Sequence, residues 1–363
     1  MSLPTLTLVI SNLNDGPFID AAFEPIEAQA DQLERIILID DGSDDDSVAQ
    51  MKAFACRVRQ TKVICNTKRL GVIANYNSAL DTVTTDLVVF ASSNDIILPG
   101  LFARSRQILG DHPRAGLSSA LVRYMSLEAE PQEVMASPIP LRRDGYLAPE
   151  TARRILFREG EWTIGNTTIY RVSALRAVGG FRPELFGACD GFASTWIACR
   201  FGACFMPRVL AMWRHDPAGY ANSTIDMFDR ASSVLTTIPE LIAANAQIFP
   251  PGYAARWRSR WLFAVLVSAA NKGPARLAAA LKAFNVSGFP TFLGFSPRLA
   301  RIALLFRLRR FDLWPILVRR MSAGVKQLRT RFNNNIIAQI RSPLNGIYPD
   351  ANRSAKSKDI REK

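Results

Sequence analysis

The stretch that decides the fold is Arg35 to Asp46, RIILIDDGSDDD, in which four apolar residues, Ile36 to Ile39, run into Asp40, Asp41, Gly42 and Ser43. A short aliphatic run that ends in an acidic, glycine-containing turn reads as a buried strand opening at its carboxyl end. Open α/β sheets bind their ligands outside such ends. A carboxylate held there accepts hydrogen bonds from the N–H and hydroxyl groups of a nucleoside, while Gly42 lets the backbone turn tightly beside it. The same residues also read as an acidic cap, with Ser43 or Asp44 opening a helix from about Asp45 to Gln60. On these residues alone both readings stand.

Outward from this stretch the unit repeats. Leu6 to Ser11 is a β-branched run that ends at Asn12 and Asn14 and is followed by a helical periodicity, Phe18 to Ile26. Val63 to Cys65 leads to Val72–Leu80, and Leu87 to Ala91 leads to Leu101–Leu109. Strands alternating with helices predict a parallel sheet covered on both faces, joined by right-handed crossovers. From Leu117 to Ile139 the pattern weakens, and a sheet extension or a loop over the site is expected. Further on, Arg143 to Ile155 enters a helix, GNTTIYR (Gly165 to Arg171) forms a strand, and Ser173–Val178 forms a helix stopped by Gly179 and Gly180. Phe192–Phe201 then reads as a helix and Cys204 to His215 as a strand.

After about Ile225 the segments Ser232–Phe249, Ala254–Ala270, Pro274–Ala283, Pro297–Arg310 and Leu313–Arg329 read as helices separated by Pro and Gly. The expected organisation is an α/β domain over residues 1–225, a basic helical region over 226–335 and a polar, disordered tail over 336–363.

The apolar fraction of 48% and charged fraction of 21% are those of a globular chain. The net charge of +13 is concentrated: from Arg256 to Arg331, 16 Lys and Arg stand against one acid, Asp312. Helices that mix Arg with Trp, Phe and Leu fit peripheral contact with an anionic membrane, and equally a helical bundle whose arginines are solvated. No nucleic acid is expected as a partner, since no recognition motif accompanies the charge. Five cysteines without a C-x-x-C pair indicate neither a disulfide framework nor a zinc knuckle. With no signal peptide at the start and no apolar run near the roughly 18 residues that span a bilayer, a cytoplasmic protein is expected, peripheral at the inner face of the membrane if the basic helices bind it.

Together four stretches resemble the family 2 glycosyltransferases, inverting enzymes of the GT-A fold: LVISNLND at Leu8 to Asp15, IDDGSDDDS at Ile39 to Ser47, NTKRLGVIANYNSAL at Asn66 to Leu80, and VVFASSNDIILPG at Val88 to Gly100. The resemblance covers roughly Leu6 to Ser223. It implies an α/β nucleotide-diphospho-sugar transferase fold, a Rossmann-like mixed sheet, with a C-terminal helical extension. It further implies transfer of a sugar from a nucleotide-diphosphate donor to a glycan or lipid-linked acceptor, in cell-surface polysaccharide or glycolipid synthesis. By the same resemblance Asn14, Asp41, Gly71, Asn77, Asn94, Asp95 and His215 bind the nucleotide sugar, with Asp41 on the nucleoside. Asp190, nine residues after the GGF segment Gly179 to Phe181, is the general base.

One departure stands out. The family's Asp-x-Asp-Asp is Ser92, Ser93, Asn94 and Asp95 in this chain. Mg or Mn prefers charged oxygens, so the resemblance leaves Asp95 as the metal ligand in a weakened site. Without a metal, basic groups such as Lys68 and Arg69 must neutralise the leaving diphosphate. The rival reading is a catalytically impaired nucleotide-sugar or glycan binder on the same scaffold. Asp190 also reads as the N-cap of a helix beginning near Gly191.

Overall fold

The computed structural model of the chain describes residues 2–127, 131–134, 137–214, 216 and 219–286. It begins with strand β1 (Leu6–Asn12), helix α1 (Gly16–Glu27), β2 (Arg35–Asp40), α2 (Ser47–Arg57), β3 (Thr61–Cys65), α3 (Val72–Thr82), β4 (Leu87–Ser92), the two-residue β5 (Ile96–Ile97) and α4 (Leu101–Asp111). Next come β6 (Leu117–Met125), β7 (Pro131–Val134), β8 (Gly145–Leu147), α5 (Pro149–Arg158), β9 (Ile169–Arg171), α6 (Val172–Ala177), α7 (Cys189–Phe201) and β10 (Ala203–Arg214). Four helices follow, α8 (Tyr220–Asp226), α9 (Phe228–Ala244), α10 (Tyr253–Asn271) and α11 (Pro274–Ala283).

The sheet runs β3-β2-β1-β4-β9-β6-β10-β5. Its first four strands are parallel, β9 is antiparallel to both β4 and β6, and β6 is again parallel to β10. The sheet is therefore mixed. Along β1 every residue is buried, as expected of a central strand covered on both faces. Leu6, Leu8 and Ile10 turn one way, into a core with Ile19, Phe23, Phe54 and Phe102. On the other face Phe90 meets Phe181 edge-on at 5.0 Å and Tyr76 at 4.9 Å. Each fully buried aliphatic or aromatic side chain contributes about 1.5–3 kcal/mol, so this two-sided core fixes the strand order.

Register then places the site. Ser11 pairs with Ser92 and Asn12 with Asp40, so the turns leaving β1, β2 and β4 emerge side by side at one edge.

The sequence reading needs correction at several points. Leu117 to Met125, the strand-like LSSALVRYM, is a strand, but an interior one between β9 and β10; its polarity is internal, in Ser118 and Ser119, both fully buried. The sheet is mixed, as the resemblance implies; the parallel pairing read from the strand–helix alternation holds for β3, β2, β1 and β4, and β9 enters against the direction of β4. Helix α2 starts at Ser47 with Asp46 at its cap position and no side-chain cap bond; neither Ser43 nor Asp44 caps it. Helix α7 starts at Cys189, so Asp190 lies inside the first turn and is not the cap.

The C-terminal helices pack through a regular stripe. Ala231, Val234, Leu235, Ile238 and Ile242 of α9 are buried at helical spacing, and Leu266, Ala269 and Ala270 of α10 meet Leu277 and Leu281 of α11. Phe249 stacks on Phe192 of α7 and on Tyr253 of α10, joining this region to the sheet domain. Several cations of the basic segment are used internally. Arg260 donates to the Leu156 and Phe157 carbonyls, Arg256 lies over the Phe157 ring, Arg276 lies over Phe228, and Lys272 pairs with Asp226. Among the described residues no helix is long and apolar enough to cross a membrane. The expected helices Pro297–Arg310 and Leu313–Arg329 and the polar tail lie outside the described residues.

Candidate active site

The acidic turn after β2 divides its labour. Asp40 organises the turn itself: its Oδ2 accepts the Gly42 and Ser43 N–H groups, and its Oδ1 accepts Ser43 Oγ at 2.6 Å and Asn12 Nδ2 at 2.8 Å. Asp41 reaches across to the loop before α3. Its Oδ1 accepts Leu70 N–H at 2.8 Å and Asn66 Nδ2 at 2.9 Å, and its Oδ2 accepts Gly71 N–H at 2.9 Å. Burial opposes the charge of Asp41, but these donors win and hold its carboxyl below the ordinary 3.8. Gly71 has φ +89, a conformation that suits glycine, which is how its N–H can turn toward Asp41 as α3 begins. The clamp fixes the exposed Lys68 and Arg69, with Arg69 lying against Gly42. Asn14 sits beside this turn with φ 57, its Oδ1 accepting Asp44 N–H. Asp45 accepts Gly16 N–H and Ser47 N–H.

Ser92 to Asp95 carry one charge, and it is sequestered. Asp95 is 6% exposed; its Oδ1 accepts Arg214 N–H at 3.0 Å and its Oδ2 accepts Asn166 Nδ2 at 3.2 Å. Burial pushes its pKa up to about 7 despite these donors and the nearby guanidinium. Ser93 donates to Asp15 Oδ2 at 2.6 Å, and burial, with Asp45 adding to it, raises Asp15 as well. Arg214 threads the cluster: Nε donates to the Asn94 carbonyl at 3.0 Å, Nη1 donates to the Ser126 and Leu127 carbonyls, and the guanidinium lies 4.2 Å from the centre of the Phe18 ring.

This donor set does not fit a divalent cation held by the protein at Asp95. Both carboxylate oxygens already accept N–H groups, and its surroundings favour the protonated form. Among the described residues no three His, Cys, Asp or Glu side chains are grouped to hold a metal. No chemical step is therefore derived through one.

On the acceptor side, Asp190 is half-buried in the first turn of α7 and accepts Gly191 N–H at 2.8 Å. Burial raises its pKa, and hydrogen bonds to the backbone hold that rise back. The carboxylate faces Gly165 so closely that a Cβ there would lie 2.6 Å from Oδ2. Asn77 joins the donor half to the acceptor half: its Nδ2 donates to the Phe181 carbonyl at 2.6 Å and its Oδ1 accepts Phe181 N–H at 3.0 Å. The amide is thus engaged with the GGF segment.

The structure therefore brings Asn14, Asp41 and Gly71 together at one turn and places Asn94 and Asp95 at the neighbouring one. Asp190 lies in the first turn of α7 beside Gly165, and His215 lies outside the described residues. Two residues escaped the sequence reading of the site: Asp15 ends the quoted LVISNLND, and Glu161 lies between α5 and Gly165. Only Asp15 had a local signal, its place one residue beyond Asn14. Arg214, which the resemblance marks with Trp213 and His215 as reaching back to the diphosphate or closing a loop, ends β10.

Residues 7–179 match the family model described as Glycosyl transferase family 2. The chain is 26% identical over 284 residues to the uncharacterized protein MT1568 of Mycobacterium tuberculosis, covering 75% of this chain and 87% of that one. In fold it is similar to the mannosyltransferase PcManGT from Pyrobaculum calidifontis, solved in complex with GDP-Man and Mn2+, with a TM-score of 0.53 at 19% identity over 87% of this chain and 88% of that one. It is also similar to S. aureus TarS 1-349, with a TM-score of 0.52 at 15% identity over 90% and 89% of the two chains.

Proposed function

We propose, from the match of residues 7–179 to the Glycosyl transferase family 2 model, that the protein moves a sugar from a nucleotide-diphosphate donor to an acceptor hydroxyl with inversion. Asp190 takes the hydroxyl proton, the acceptor oxygen forms its bond to the anomeric carbon, and the bond from that carbon to the diphosphate breaks on the opposite face. The diphosphate leaves with the electron pair. A single displacement needs one base and no covalent enzyme intermediate.

The observation that carries this reading is the setting of Asp190. It is a half-buried carboxylate whose pKa burial raises, with its neighbour Gly165 leaving room for it. On the donor side Asn14, Asp41 and Gly71 form the nucleoside end, with Asn94 and Asp95 at the adjoining turn. Asp41 acts through the loop it clamps, presenting Lys68 and Arg69 as the cations for the departing diphosphate. The acceptor is a glycan or a lipid-linked glycan.

The neutral Ser92, Ser93 and Asn94 favour a second reading, a nucleotide-sugar or glycan binder without turnover. A panel of UDP- and GDP-sugars, assayed for nucleoside diphosphate release with and without Mn2+, separates the two. Under the proposal Asp190→Asn loses about 100-fold or more of turnover while UDP and GDP affinities stay put. Equal turnover in the variant and wild type sinks the assignment of the base; donor binding without release in either protein favours the binder.

A further inference from the structure

Beside Asp190 lies a second carboxylate that the proposed reaction does not yet use. Glu161 follows Gly160, where the chain leaving α5 turns with φ +102, and it is open to solvent. Thr195 of α7 donates to Oε1 at 3.3 Å, and Trp257 of α10, on the other side, eases its charge. Its Oε2 lies over the residue next to Asp190, so close that a Cβ on Gly191 would come within 3.0 Å of it. Glycines at 165 and 191 thus leave space for two neighbouring carboxylates.

The wall behind Glu161 is built by the C-terminal helices. Arg260 of α10 donates to the Leu156 and Phe157 carbonyls at the end of α5, and Trp257 stacks on Trp261 at 5.5 Å. Arg260 also favours the ionised form of Glu161. The neighbouring charge of Asp190 opposes it. Two carboxylates this close, left open to solvent, would be a liability in a purely structural role. Their chemistry suits a polyhydroxyl ligand, because a carboxylate accepts hydrogen bonds from sugar hydroxyls.

We propose that Glu161, held by Thr195 of α7 with Trp257 of α10 beside it, is an acceptor-binding residue that takes a hydroxyl neighbouring the one Asp190 deprotonates, which brings α10 to the edge of the acceptor site. The acceptor class is a neutral sugar with two adjacent free hydroxyls. The inference rests on the proposed transfer reaction for the role of Asp190, but the binding of sugar by Glu161 is measured separately from turnover.

The experiment uses the full chain as wild type, Glu161→Ala, Glu161→Gln, Trp257→Phe and Asp190→Asn. Each is applied to a panel of immobilised neutral oligosaccharides, and UDP and GDP affinities are measured on the same preparations. Expected is a loss of about tenfold or more in oligosaccharide affinity for Glu161→Ala, equivalent to about 1.4 kcal/mol, with smaller losses for Glu161→Gln, whose amide still accepts, and for Trp257→Phe. Nucleotide affinities stay within about twofold of wild type. In turnover assays the acceptor KM rises for Glu161→Ala while kcat changes little, whereas Asp190→Asn loses kcat. Oligosaccharide binding unchanged in Glu161→Ala, absent in wild type, or lost in step with nucleotide binding overturns the proposal. Absence of transfer in wild type, with glycan binding still dependent on Glu161, overturns the reaction and leaves the acceptor site standing.

Discussion

Replacing Asp95 by Asn tests the electrostatic account of the turn most directly. Asp95 is 6% exposed and its pKa is raised from 3.8 to about 7. The folded chain therefore holds this proton more tightly than the unfolded chain. The contribution is full below the ordinary carboxylate value and is lost as pH climbs through about 7. At about 1.4 kcal/mol for each unit of pKa, the loss between about pH 4 and pH 8 is on the order of 4 kcal/mol. An asparagine at this position carries no charge to bury. Its Oδ1 can accept Arg214 N–H, and its amide N–H can meet Asn166 Oδ1, a buried atom with no partner among the described residues, once the Asn166 amide turns round. Urea unfolding of wild type and Asp95→Asn across this range supplies the measurement. Asp41, Asp45 and Asp86 have lowered values and push stability the opposite way, rising with pH, but they are common to both proteins and cancel in the difference. The variant should gain on wild type by roughly 4 kcal/mol from the acid to the alkaline end. Parallel curves would refute the claim that Asp95 is held as a near-neutral acid, and with it the argument against a cation there.

Two further substitutions probe the two halves of the site. Asp41→Asn removes the charge that accepts Leu70 and Gly71 N–H; about 1–3 kcal/mol of stability should go, and UDP or GDP affinity measured by calorimetry should fall as the Lys68 and Arg69 loop loosens. Since the Asp41 carboxyl lies below its ordinary value, its contribution in wild type is present above about pH 4 and disappears on acidification, and Asp41→Asn should lack that component. Gly165→Ala puts a Cβ 2.6 Å from Asp190 Oδ2; it should cut turnover about 100-fold with nucleotide affinity unchanged, and a turnover near wild type would show that Asp190 need not sit where the structure has it.

The parts of this fold that sequence reveals are those set by local pattern. Ile36 to Ile39 and Val88 to Ala91 are aliphatic runs ending in polar turns, and because β1, β2 and β4 are parallel neighbours their ends carry Asp15, Asp41 and Asp95 to one edge. Helix α11 begins and ends where Pro274 and the following apolar spacing place it. What local pattern does not carry is partnership. Leu117 to Met125 alternates poorly because both of its faces are covered, so it looks unlike an exposed-edge strand and its place beside β9 and β10 is invisible. Asn77 reads as a ligand residue until Phe181, 104 positions away, takes both ends of its amide. Arg214 meets Asp95 over 119 positions, and nothing around Glu161 in REGEWTIG distinguishes it from an ordinary loop acid until α10 closes behind it.

The altered turn and the buried arginine belong together physically. Asp15 and Asp95 are both raised by burial, and each feels the other's charge or that of Asp45, with Arg214 as a cation that eases both. Carboxylates at positions 92 and 94 would add two more negative charges to a cluster that already favours protonation, and would demand a further cation to hold them. With Ser92, Ser93 and Asn94 the demand disappears: Ser93 satisfies Asp15 with a neutral hydrogen bond, and the Asn94 carbonyl accepts Arg214 instead of competing with it. The positive charge that meets a donor diphosphate must then come from the solvent side, where the loop clamped by Asp41 exposes Lys68 and Arg69. In the proposed reaction leaving-group neutralisation hangs on Asp41 and proton abstraction on Asp190, and Asn77 ties the two segments: it starts on α3, which the Asp41 loop leads into, and ends on the segment that precedes α7.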